Sequence, residues 1–133
     1  MPDPIDTLEP VTAARVREWL ATCLEAGVEL RVTEGRRSWE RQAALYARGR
    51  TLPGAIVTHA RPEADPHVRG AAADFCFRGP VPYPPLADAR WQLVGELATK
   101  AALAWGGGWK HPDWDHVERP DWSSLPVAPR ELA

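Results

Sequence analysis

With 133 residues the chain has the size of one domain that can bury a core without disulfide or metal staples, and one domain over residues 1–133 is expected. Hydrophobic residues at 44% and charged residues at 26% exclude a largely disordered chain. A formal net charge of −2 and a pI of about 6.1 leave no basic excess for phosphate backbones or anionic lipid, so nucleic acid is not an expected partner.

The opening Met1-Pro2-Asp3-Pro4-Ile5-Asp6 has neither the positive start nor the apolar run of a secretory signal. No later segment is long and apolar enough to insert in a membrane. Synthesis in the cytoplasm is expected, and a monomer. After this lead, Val16, Trp19, Leu20, Cys23 and Leu24 recur at helical spacing, with Gly27 placed as a C-terminal cap. Val28 to Thr33 alternates as a strand, and Ser38 caps a second helix running to about Arg48, closed by Gly49. A loop from Thr51 carries a short apolar piece at Ile56 and Val57, and Ala71 to Phe77 reads as the next strand.

The prolines between Gly79 and Pro85 require a surface loop. Asp88 then caps a third helix whose stripe is Trp91, Val94, Ala98, Ala101 and Trp105, ended by Gly106-Gly107-Gly108. A last strand spans Asp115 to Arg119, and the proline-rich tail after Pro120 lies extended on the surface. This order predicts an α+β domain with a small, mainly antiparallel sheet and about three helices. Cys23 and Cys76 fall in core patterns without C-x-x-C spacing, and are read as buried thiols.

Two segments carry chemistry. Residues 65–77 read DPHVRGAAADFCF, with His67 and Asp74 as candidate metal ligands; residues 105–118 read WGGGWKHPDWDHVE, with His116 as a third and Asp113 three residues before it. Two imidazoles and one carboxylate form the open set of a catalytic zinc site, although two histidines this far apart are more often ordinary surface or core residues. Zinc brings the pKa of its water to about 7 and polarises a carbonyl, and a nearby carboxylate accepts the proton. Asp113 sits close enough to His116 in sequence to stand beside the water without being a ligand.

Asp65-x-His67-x-x-Gly70-x-Ala72-x-Asp74 resembles the S-x-H-x-x-G-x-A-x-D signature of the L-alanyl-D-glutamate peptidases of phage endolysins and their D-alanyl-D-alanine carboxypeptidase relatives. Trp105-Gly106-Gly107-x-Trp109 and Asp113-x-x-His116 are similar to the family's second motif, and the segment from Gly35-Arg36-Arg37-Ser38 to Pro53-Gly54-x-Ile56-Val57-Thr58 to the stretch before the first. The resemblance implies zinc on His67, Asp74 and His116, a general base at Asp113, a substrate-orienting Arg37, and zinc seated on an antiparallel sheet. It implies hydrolysis of peptidoglycan stem peptides at the L-alanyl-D-glutamate bond in the bacterial cell wall, in the manner of a phage lysin. The alternative within the same chemistry is a D-alanyl-D-alanine carboxypeptidase; that of another class is an inactive zinc-containing wall-binding module, which would have no need of a carboxylate at Asp113.

Two departures stand out. Asp65 replaces the family's serine, and the run from Trp109 to Asp113 is one residue short. Asp65 is read either as a turn residue before Pro66 or as a substrate contact. Arg37 has the alternative of a solvated charge beside Arg36. Glu118 shares a strand face with His116 and is placed to support it. Trp19 and Trp91 are read as packing, Trp114 as lining the substrate groove, and His59 and His111 as loop residues.

Overall fold

The computed structural model describes residues 3–127. Helix α1 (Pro10–Glu25) begins earlier than the apolar spacing indicates. Pro10 takes the first helical position, where a missing N–H is harmless, and the Glu9 carboxylate accepts from the Val11 and Thr12 backbone N–H groups at 3.1 and 2.6 Å. Val16, Trp19 and Cys23 are buried as predicted, whereas Leu24 is exposed at the helix end. Gly27 follows at φ +88°, a left-handed turn that a side chain would strain.

Four strands form one antiparallel sheet in the order β1-β2-β4-β3: β1 (Leu30–Glu34), β2 (Ala72–Phe77), β3 (Ala104–Trp105) and β4 (His116–Glu118). On one face Leu30, Val32, Ala73, Phe75, Phe77 and Val117 pack against the helices. Side chains alternate along a strand, so Asp74, His116 and Glu118 point to the other face. On β1 a bulge between Val32 and Glu34 shifts the register, so that Val32 faces Phe75 while Glu34 stands opposite Asp74. The extra residue re-aims Glu34 from the core face to the face that carries Asp74.

Aromatic rings fill the core in a chain of edge-on contacts: Trp19 meets Phe75 at 4.9 Å, Phe77 meets Trp91 at 4.7 Å, and Trp114 meets Trp105 at 5.5 Å. The buried indole N–H groups are satisfied, Trp19 donating to the Val94 carbonyl at 2.9 Å and Trp91 to that of Pro84 at 3.1 Å. Both cysteines are buried and free, and burial pushes the Cys23 thiol up to about 11.

Helix α2 (Trp39–Ala47) has the predicted Ser38 cap, whose hydroxyl accepts from the Arg41 N–H at 3.0 Å. Helix α3 (Arg90–Lys100) is shorter than predicted: the chain reverses at Ala102, φ +59°, and Trp105 belongs to β3. The apolar stripe nevertheless exists in space, because the Trp105 ring folds back onto Gly95 of α3, where a Cβ would overlap it. The three glycines therefore do not end the helix; they form a 3-10 turn, Gly106–Gly108. The cap position of α3 falls on Ala89, one residue past the predicted Asp88, although Asp88 Oδ1 accepts from the Arg90 N–H at 2.9 Å. The tail is not simply extended either. Trp122–Ser124 form a 3-10 turn clasped by Arg69, which donates to the Ser123 carbonyl at 3.0 Å; residues 128–133 lie outside the described residues.

Candidate active site

Neighbouring strands and one turn bring three groups together. Asp74 and His116 are cross-strand partners on β2 and β4, and His67 precedes β2 in a turn that closes at Gly70, φ +69°. One donor atom from each of the three residues lies within 4.8 Å of the others. Asp74 Oδ1 stands 3.1 Å from His67 Nε2 and 3.3 Å from His116 Nδ1.

The remaining ring nitrogens are also engaged. His67 Nδ1 donates to the Gly35 carbonyl at 2.8 Å, and His116 Nε2 to Glu118 Oε1 at 2.8 Å. Placing those protons on the outer nitrogens turns the lone pairs of the inner ones toward the cavity, the tautomers a metal requires. Burial by itself would raise the Asp74 carboxyl, yet its contacts with His116 and His67 hold it well below the carboxylate range. Burial opposes charge on His116, but Asp74 and Glu118 outweigh it and push the ring up to about 10. Carboxylates that favour a proton on this ring also favour a cation between the rings. Two imidazole nitrogens and one carboxylate oxygen, open on one side to a cavity of about 260 Å³, fit a metal ion.

Arg37 lines that cavity and is not a solvated charge: its side chain is 12% exposed. Its Nε and Nη2 donate to the two oxygens of Glu34 at 3.1 and 2.8 Å, and Nη1 donates to Gln42 Oε1 at 2.8 Å. Gln42, fully buried, is itself anchored by donating to the Ala60 carbonyl at 2.7 Å. Asp65 makes the turn contact and also lines the cavity. Its Oδ1 accepts from the His67 N–H at 2.7 Å, a turn contact, while Oδ2 faces the cavity 3.7 Å from Arg37 Nη1.

Asp113 stands at the rim with its side chain 51% exposed, Oδ2 lying 3.8 Å from His116 Nδ1. The glycine turn sets its place: the Gly106 carbonyl accepts from the Asp113 N–H at 2.9 Å, and a Cβ on Gly106 would overlap the Asp113 carbonyl. The Trp105 indole is slotted between Gly95 and Gly107 and donates to the Trp114 carbonyl at 2.8 Å. Trp114 is not in the cavity with the histidines. It lines a second one of about 430 Å³ with Tyr83, Leu86 and Asp115, and Asp113 forms the wall between the two.

The predicted His67, Asp74, His116, Asp113, Arg37 and Asp65 all line one cavity, while His59 and His111 are exposed loop residues outside it. Glu34 carries no signal of its own in the sequence, because a bulge leaves no distinctive spacing; Gly35 and Gln42 fall in the segment that resembles the family, but nothing in the sequence assigns them their contacts with His67 and Arg37. Asp115 was also passed over, although its carboxyl is pushed up to about 6 by burial and by the neighbouring Asp74 and Asp113 carboxylates.

No protein-family model matches the chain. In an alignment of 128 positions that covers 89% of this chain and 76% of the relative, it is 34% identical to the peptidoglycan L-alanyl-D-glutamate endopeptidase CwlK of Bacillus subtilis (strain 168). Its fold is similar to that of the Serratia marcescens L-Ala D-Glu endopeptidase ChiX, with TM-score 0.61, 22% identity, and coverage of 86% of this chain and 82% of that one. It is also similar to the LD-carboxypeptidase LdcB, with TM-score 0.70, 19% identity, and coverage of 84% and 58%.

Proposed function

The chain belongs to the peptidoglycan L-alanyl-D-glutamate endopeptidase family, and from that premise we propose that it hydrolyses the L-alanyl-D-glutamate bond of stem peptides with a zinc ion held by His67, Asp74 and His116. The observation that carries this reading is the convergence of three donor atoms within 4.8 Å beside the Asp113 carboxylate. Zinc bound there would supply a Lewis acid that acidifies water and polarises the scissile carbonyl.

The chain's own groups account for the rest. Asp113 is close to the donor atoms yet half in solvent, so it accepts the proton of the attacking water as the water oxygen bonds to the alanyl carbonyl carbon. It then gives that proton to the glutamyl nitrogen as the C–N bond breaks. Glu118 and the Gly35 carbonyl hold the two imidazoles in their orientations. Arg37, fixed by Glu34 and Gln42, orients the D-glutamyl residue.

The reading includes an endolysin-like role at the bacterial cell wall, carried out by a monomer. Among the described residues no helix is long and apolar enough to cross a membrane. Digestion of defined muropeptides followed by mass spectrometry tests the scissile bond. The expected products are a fragment ending in L-alanine and one beginning with D-glutamate. Release of a terminal D-alanine alone would instead assign a carboxypeptidase. The lytic role predicts falling turbidity of a purified wall suspension; soluble products without clearing would remove it.

A further inference from the structure

We propose that Arg37 and Asp65 together recognise a primary carboxamide, so that the enzyme selects stem peptides whose D-glutamate α-carboxyl is amidated; this rests on the peptidase reading above. The two side chains line the same cavity as the donor triad and are 12% and 10% exposed, so a substrate group reaching them leaves most of its water behind.

What each still offers follows from the bonds already made. Arg37 has given Nε and one N–H of Nη2 to Glu34, and one N–H of Nη1 to Gln42. The second N–H of Nη1 and that of Nη2 are still on offer: Asp65 Oδ2 lies 3.7 Å from Nη1 and Asp74 Oδ2 3.8 Å from Nη2, both beyond hydrogen-bond reach. Asp65 Oδ1 is occupied by the His67 N–H, and among the described residues Oδ2 accepts no hydrogen bond. At Nη1 and Asp65 Oδ2 the cavity therefore presents one donor and one acceptor side by side, the remaining Nη2 N–H lying toward Asp74. A carboxamide carries the complement on a single carbon: its oxygen accepts from Arg37 and its N–H donates to Asp65.

A carboxylate fits badly. One of its oxygens meets Arg37, but the other faces Asp65 Oδ2, acceptor against acceptor and charge against charge. Arg37 does not offset this, because its single charge is already shared among the Glu34, Asp65 and Asp74 carboxylates. Nor does the turn before Pro66 explain the residue fully. The turn uses Oδ1 alone, and a serine hydroxyl could accept that N–H equally well.

The test is kcat/KM for two stem tripeptides that differ only in the D-glutamate α-group, free acid or amide, with wild type, Asp65→Asn and Asp65→Ser. Wild type should favour the amide by ~10-fold or more, since the acid leaves a charged acceptor unpaired. Asp65→Asn can keep its oxygen on the His67 N–H and turn its NH2 toward the cavity, giving two donors, so its preference should invert toward the acid. Asp65→Ser removes Oδ2, and its ratio should fall close to one; it also serves should Asp65→Asn fail to fold in a thermal melt. Equal rates on both peptides by wild type, or a wild-type ratio kept by a folded variant, would overturn the proposal and leave Asp65 a turn residue. Cleavage of neither peptide by zinc-loaded wild type would overturn the peptidase reading and this inference with it.

Discussion

Gly106→Ala isolates the placement of Asp113 from the metal site. A Cβ at position 106 would overlap the Asp113 carbonyl oxygen and stand 3.1 Å from the Asp113 Cβ, against an ordinary carbon contact of about 3.5–4.0 Å. The same residue's carbonyl bonds the Asp113 and Trp109 N–H groups at 2.9 and 3.2 Å, so the segment cannot hinge away without breaking them. Asp113 must retreat by about 1 Å, and a misplacement of that size lowers turnover by about a hundredfold. The overpacking should destabilise the fold by about 1–3 kcal/mol. Zinc should stay bound, since His67, Asp74 and His116 are held from other elements. Gly108→Ala is the control, because nothing lies within 4 Å of a Cβ there. The assay is kcat/KM on a stem peptide, with metal content and melting temperature measured on the same samples. A folded, zinc-loaded Gly106→Ala with wild-type kcat/KM would refute the placement of Asp113 as base.

Asp113→Ala should keep zinc and fold while losing on the order of a hundredfold or more in turnover; unchanged activity on peptidoglycan removes Asp113 from the mechanism, and loss of zinc recasts it as a ligand. Glu118→Ala leaves the buried His116 Nε2–H without its acceptor and should weaken zinc binding by about 10–100-fold in a competitive chelator titration, an unaltered affinity denying Glu118 its supporting role. Glu9→Gln should reduce stability by about 1 kcal/mol at neutral pH, read as the free energy of denaturant unfolding. Burial opposes ionisation of Glu9, but bonds from Thr12, Val11 and Arg119 hold its pKa below the ordinary 4.5. The ionised cap therefore stabilises the fold above about pH 4.5 and its contribution is lost as pH falls through the lowered folded value, so the two proteins should converge in acid. A deficit independent of pH would show that the charge is irrelevant.

His67, Asp74, His116 and Asp113 were legible through their resemblance to the family's two motifs, residue type and spacing alone being a weak signal, and the structure brings all four to one cavity. The α+β class and the three helices followed from period, caps and breakers: Ser38 and Gly27 act where the pattern put them. Helix α3 was overextended because Trp105 continues its spacing in sequence, whereas in space the ring reaches the same face from a strand. Nothing local announces that Ala102 reverses the chain, as a left-handed alanine is rare. The surroundings of Arg37 were illegible for a different reason. Glu34 reaches the site only through a bulge in the pairing of β1 with β2, and the bond from Arg37 to Gln42, a residue of the matching segment, depends on the packing of α2; both are long-range properties.

Titration of zinc into chelator-stripped protein, with cleavage of an L-alanyl-D-glutamate stem peptide followed at each addition, tests the central claim most directly. Activity should be absent in the stripped protein, rise in proportion to added zinc and level off at about one equivalent per chain. A His67→Ala, His116→Ala double variant should neither retain the ion nor recover activity. Full activity of the stripped protein, or stoichiometric zinc in the double variant, would contradict the assignment of His67, Asp74 and His116 as the metal site of this enzyme.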